Sequence, residues 1–96
     1  MTQYLLLIHR NAKRKPTPDD WEKFVTAAKA SGLLRGGSEL GDRLLVGDTQ
    51  SVQPTSHIGG YMRFDAEEKS KLLELLQIHP VVAGGGTIEL CEMPRS

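Results

Sequence analysis

Four segments follow one another in the last third of the chain: Ile58-Gly-Gly-Tyr-Met-Arg-Phe64, residues 65–78, the triplet Gly84-Gly-Gly86, and Thr87-Ile-Glu-Leu-Cys-Glu92. Their order decides the fold. The first and last have strand character: Ile58, Gly60, Met62 and Phe64 alternate with Gly59, Tyr61 and Arg63, and Ile88 and Leu90 with Thr87, Glu89 and Cys91. Between them Leu72, Leu73, Leu75, Leu76 and Ile78 lie at helical spacing, with Asp65 as the expected N-cap and Pro80 as the stop. The Gly triplet reads as a tight turn or bulge. A phosphate cradle would need a helix and a Lys after it, and a strand follows instead.

Working back toward the N-terminus, Tyr4-Leu-Leu-Leu-Ile8 is an apolar run of strand length before a charged, Pro-containing loop. Thr17-Pro-Asp-Asp20 then opens a helix, with Thr17 as N-cap, Pro18 at the first helical position and two carboxylates suited to the helix dipole. Trp21, Phe24, Val25 and Ala28 give that helix one apolar stripe, and Gly32 is its expected left-handed cap. A second strand is expected over residues 35–40, with Gly41-Asp42 as a turn and residues 43–46 as the returning arm of a small hairpin. Residues 47–56 are polar and without period, hence a surface loop.

The order β-α-β-β-α-β predicts one α+β domain over residues 1–96, ferredoxin-like, with both helices on one face of an antiparallel sheet. The other face then carries Tyr61, Arg63, Thr87 and Glu89, together with either the Leu5, Leu7, His9 set or the Leu6, Ile8, Arg10 set of the first strand. Leucines beside Arg and Glu make an amphipathic wall. A second copy is its expected cover, giving a homodimer with a cavity between the sheets.

Composition excludes several classes. Twelve Lys and Arg balance twelve Asp and Glu, so no strong field attracts nucleic acid or an anionic membrane. The basic stretch at residues 10–15 has no interleaved aromatic side chain and reads as a solvated loop. No apolar run approaches the roughly 20 residues that span a bilayer. Residues 4–8 are also too short for a signal-peptide core, and Cys91 has no second cysteine to pair with. A soluble cytoplasmic protein without membrane or nucleic-acid partners is the expectation.

The sequence also resembles a known family. Ser56-His-Ile-Gly-Gly-Tyr61 and His79-Pro-Val-Val-Ala-Gly-Gly-Gly-Thr-Ile-Glu-Leu90 look like the C-terminal part of the YCII-related family, including the branch named for a DGPF motif. The strand at residues 4–8 and Ser31-Gly-Leu-Leu-Arg-Gly-Gly-Ser-Glu-Leu40 resemble its other landmarks. The resemblance implies a ferredoxin-like fold assembled as a dimeric α/β barrel. The Asp-Gly-Pro-Phe signature is absent: the region reads Gly47-Asp-Thr-Gln-Ser-Val-Gln-Pro54, in which only Asp48 can be a remnant. Some members carry a His on the first helix that is thought to work with an Asp as an acid/base pair. Counting back from Gly32, Trp21 holds that position here, and an indole cannot replace imidazole in proton transfer.

The candidate chemistry rests on few residues. His9, His57 and His79 can exchange protons near neutral pH, and none stands at metal-ligand spacing to another, so neither metal nor cofactor is expected. His57, beside the polar loop, is the leading candidate, with Asp48 as its assigned partner and His9 as a second catalytic residue. His79 is expected to bond a backbone carbonyl at a helix end, where its charge suits the dipole. Arg63 and Glu89 share a sheet face and can be bridged through His9. They read either as a satisfied polar network in a dimer interface or as a substrate site, with Arg63 clamping an anion and Tyr61 donating a hydrogen bond. Cys91 reads as an inert thiol. Two functions follow: a small-molecule-binding dimer performing cofactor-independent acid/base chemistry of isomerase or lyase type, or a non-catalytic ligand-sensing or oligomerisation module.

Overall fold

The apolar run of residues 4–8 lies at the centre of the sheet. In the computed structural model, which describes residues 1–94, strand β1 (Thr2–His9) is flanked by β3 (Ile58–Ala66) and β4 (Ile88–Met93), and β2 (Leu34–Glu39) pairs with the far side of β3. The order β2-β3-β1-β4 with antiparallel neighbours throughout is the ferredoxin-like arrangement. Helices α1 (Pro18–Ser31), α2 (Lys69–Leu76) and the single turn α3 (Pro80–Ala83) complete it.

Period-two alternation sorts the side chains. Tyr4 and Leu6 of β1 and Met62, Phe64 and Ala66 of β3 are buried against Phe24 and Ala28 of α1 and Leu72 and Leu76 of α2. Ile8, Ile88 and Leu90 pack at the margin of this core. The outer face therefore carries the Leu5, Leu7, His9 set, and the register places Leu7 between Tyr61 and Glu89, and Leu5 between Arg63 and Cys91. Overall extents of 42 × 38 × 17 Å describe two layers, with no third layer over that face among the described residues.

Local chemistry sets the element ends. Thr17 and Asp20 form a reciprocal capping box, the Asp20 backbone N–H donating to Thr17 Oγ1 at 3.1 Å and the Thr17 N–H to the Asp20 carboxylate at 2.9 Å. That bond from the Thr17 backbone holds the Asp20 carboxyl below its ordinary value. Gly32 closes α1 at φ 76°, a left-handed conformation that glycine takes without a Cβ penalty.

Three expectations are corrected. Residues 43–46 form no hairpin arm. The Arg43 guanidinium instead turns inward and donates to the carbonyls of Leu40, Gly41, Thr55 and Ile58, which ties the two ends of the loop together. Asp65 does not cap a helix, because β3 runs on to Ala66 and the Asp65 carboxylate accepts from Arg35 Nε at 3.1 Å. Helix α2 starts four residues later behind Glu68, which makes no side-chain capping bond, and ends at Leu76, leaving Ile78 exposed. Pro80 not only follows α2 but opens α3 at its first position.

Truncating Phe64, which is fully buried, should cost about 3–5 kcal/mol as Phe64→Ala. Thr17→Ala should cost about 1 kcal/mol through the lost cap. Urea denaturation of both variants measures the contrast, and similar losses for the two would contradict this account of core and cap.

Candidate functional site

The core does not fill the space beneath α1. Where the helix crosses the β2–β3 edge, Trp21 and Val25 stand over Gly37, Gly60 and Met62, and the open-sided cavity they line with neighbouring loop residues has a volume of about 810 Å³. Glycine makes the floor. A Cβ on Gly37 would lie 2.6 Å from the Tyr61 carbonyl oxygen, and one on Gly60 2.9 Å from that of Ser38, so these strands approach closely only with side chains absent. The same absence leaves bare peptide under the helix. The size matches a small organic ligand.

The strand ends supply the polar rim. In the β1–β3 ladder Ile8 pairs with Gly60 and His9 with Ile58, which leaves Gly59 as the extra residue of a bulge. Bulges re-aim side chains. Here the Arg10 N–H donates to the His57 carbonyl at 2.8 Å, and the Arg10 side chain lies along Gly59 and reaches the Leu40 carbonyl at 3.4 Å. His9, Arg10, Lys15, Ser38, Glu39 and Tyr61 contribute to the lining. The sequence reading placed the site on the outer sheet face, whereas the cavity that one chain builds lies on the helix side, reached at the end of β1.

Of the residues named from sequence, the structure brings together His9, His57 and Glu89. His9 Nε2 lies 2.9 Å from Glu89 Oε1, and the rings of His9 and His57 are 5.7 Å apart, tilted at 46°. With Glu89 accepting at Nε2, the neutral ring carries its proton there and leaves Nδ1 as the base. The Asp48 carboxylate is engaged within its own turn: it accepts from the Ser51 hydroxyl and the Gln50 backbone N–H, bonds that hold it below its ordinary pKa with Ser51 the larger cause. Arg63 extends along Gly36 on the outer face and makes no ion pair among the described residues. Tyr61 and Glu89 share a row on that face with Leu7 between them. Cys91 is a half-buried free thiol beside Leu5. Among the described residues no three His, Cys, Asp or Glu side chains are placed to hold a metal ion.

His79 departs most from its sequence reading. It is fully buried, and its Nδ1 accepts the Val81 backbone N–H at 3.1 Å instead of bonding a carbonyl. The ring packs between Trp21, edge-on at 5.1 Å, and Phe24 at 4.7 Å. Burial pushes its pKa from 6.5 down to about 4, so the ring is neutral at physiological pH. It therefore supports Trp21, one wall of the cavity, and carries no charge to the helix dipole. Nothing in the sequence marked this, because the Trp and Phe that enclose it lie more than fifty residues away.

No protein-family profile matches the chain, and no curated protein matches it. Among solved structures, one similar fold is 5-chloro-2-hydroxyhydroquinone dehydrochlorinase from Burkholderia phenoliruptrix AC1100 in complex with 2,5-dihydroxybenzoquinone. It aligns at a TM-score of 0.57 and 11% identity over 98% of this chain and 95% of that one. The likeness shows the fold. A protein of Arabidopsis thaliana, At3g17210, aligns at a TM-score of 0.45 and 12% identity over 100% of this chain and 96% of that one.

His79 predicts a pH dependence of stability. A histidine whose folded pKa is depressed contributes fully above about pH 6.5, and the contribution is lost as pH falls toward about 4. The loss between those limits should be roughly 3 kcal/mol. The stability of wild type minus that of His79→Phe, from denaturation curves, should fall by this amount as pH is lowered across that range, and a constant difference would refute the assignment.

Proposed function

We propose that the chain is a small-molecule-binding protein of the YCII-related type, whose ligand occupies the cavity between α1 and the sheet. The observation that carries this is the 810 Å³ space beneath Trp21, which opens at the end of β1 where the carboxylate-paired histidine, His9, stands on the outer-face side. Under this reading the acidic C–H or O–H of the ligand projects past the end of β1 to the outer face, where His9 Nδ1 accepts its proton, Glu89 orients the ring and stabilises the imidazolium, and His57 stands near enough to relay the proton onward. The step needs neither metal nor cofactor. It fits an isomerase- or lyase-like conversion of a small organic substrate. Asp48, held within its own turn, has no part in this scheme.

A non-catalytic ligand-binding role is the second reading. It is favoured by Trp21 at the position where some members of the resembled family carry histidine, and by the engagement of the Asp48 carboxylate with Gln50 and Ser51 within its own turn. The 2,5-dihydroxybenzoquinone bound by the dehydrochlorinase of similar fold supplies a first probe. Calorimetry should register its binding to wild type, and Val25→Trp, which fills the cavity, should abolish it. If His9→Gln keeps affinity while removing turnover of a substrate found by screening, the catalytic reading stands. Unchanged turnover would leave only binding.

The outer face supports the homodimer in this proposal. Leu5, Leu7 and Met93 are only half-buried there with no layer over them among the described residues, and a second copy's sheet would cover them. The free thiol Cys91 fits a reducing cytoplasm, and no helix among the described residues is long and apolar enough to cross a membrane. Arg63→Glu, which places a carboxylate near the centre of the apolar row, should convert dimer to monomer in light scattering at micromolar concentration, with the far-UV spectrum unchanged. A wild-type monomer at that concentration would refute the dimer.

A further inference from the structure

We infer that the cavity selects a planar organic anion, bound with its ring system under the Trp21 indole and its negative charge on Arg10, with Lys15 in support. This inference rests on the cavity being the ligand site and adds the class of ligand. Shape is the first argument. The floor is peptide without side chains at Gly37 and Gly60, and the opposing wall includes an indole. A flat ring can lie close to peptide planes that a branched or puckered molecule would meet poorly, and stacking on an aromatic wall adds to its area burial.

Charge is the second argument. Among the lining residues Arg10 and Lys15 carry positive charge and Glu39 carries negative charge, and none of the three is in an ion pair among the described residues. The cations outnumber the carboxylate in this lining, and a bound anion would neutralise the excess. Arg10 is also positioned in advance. The bulge at Gly59 fixes its backbone through the bond to the His57 carbonyl, and its stem occupies the surface that a residue-59 side chain would take, since a Cβ there would lie 3.0 Å from Arg10 Cγ and 3.1 Å from Nε. Among the described residues only one of its five N–H donors is used, in a long bond to the Leu40 carbonyl. The remaining fork is free to take a carboxylate or enolate side-on, as a guanidinium does best.

Gly59 is thus a positioning residue, and this separates the inference from a general attraction of anions to lysine and arginine. The test uses 2-naphthoate and its neutral isostere 2-naphthamide, titrated into the full chain and followed by the indole N–H resonance of Trp21, the sole tryptophan. Wild type should bind the acid about tenfold more tightly than the amide, the discrimination expected of a charge-assisted hydrogen bond. Arg10→Gln and Gly59→Ala should both cut that preference to under about threefold and leave amide affinity unchanged. Lys29→Gln, which makes the same change in net charge on the exposed side of α1, should preserve it.

Equal binding of acid and amide by wild type overturns the inference while leaving the cavity as the site. So does a preference that survives Arg10→Gln combined with Lys15→Gln, or one that Lys29→Gln removes equally. If neither compound shifts the Trp21 resonance at millimolar concentration, or if Val25→Trp leaves their binding intact, the cavity reading itself fails and the inference with it.

Discussion

The structure depends on burying β1. A strand with leucines on both faces needs cover twice, and a chain of 96 residues with short helices covers it once. Tyr4 and Leu6 take the helix side with Phe24, Phe64 and Leu72, and this fixes the register of β3 and β4 on either flank. A slip by one residue would exchange the buried set for Leu5, Leu7 and His9 and place an imidazole against the helices. The outer face is the residue of that choice, and it is where association between copies is proposed.

The second organising element is a mismatch between helix and sheet. Helix α1 packs Phe24 and Ala28 into the core near β1 and β3, but Trp21 and Val25, on the flank of the same helix, overhang the β2 edge, where the strands carry glycine. Large residues above small ones would normally collapse together. The Trp21 ring is instead braced from behind by His79, which is itself fixed through Val81 at the start of α3. The short helix that Pro80 initiates thereby becomes part of the cavity's construction, and the Val81 side chain contributes to its lining.

Much of this was legible in the sequence, since alternation in β1, β3 and β4 and the Thr17 cap of α1 are local signals that tertiary structure left in place. Misreadings occurred where a side chain had two possible employers. Asp65 is as good a cap as it is an ion-pair partner, and Arg35, thirty residues away, decided the matter. Arg43 reads as an exposed strand residue until four carbonyls converge on it. His79 reads as charged until two aromatic rings from α1 close around it. The cavity was hidden for a different reason: it is made of missing side chains, and a pattern of glycines shows where the backbone can approach but not which helix passes overhead. His9 and Glu89, by contrast, could be placed together, because strand parity and the central position of β1 suffice.

The Arg43 clamp has a consequence for how the molecule tolerates change. By tying the Leu40 and Gly41 carbonyls to those of Thr55 and Ile58, it closes the base of the loop independently of what lies beyond it, so residues 44–54 are mechanically decoupled from the β2–β3 ladder. Leu44 and Val46 stand almost wholly in solvent there, 87% and 88% exposed. Lengthening such a loop costs little, because closure entropy grows only with the logarithm of its length. The segment is accordingly the natural place to graft a peptide epitope or a sensor domain, or to open new termini by circular permutation, while sheet and cavity keep their geometry.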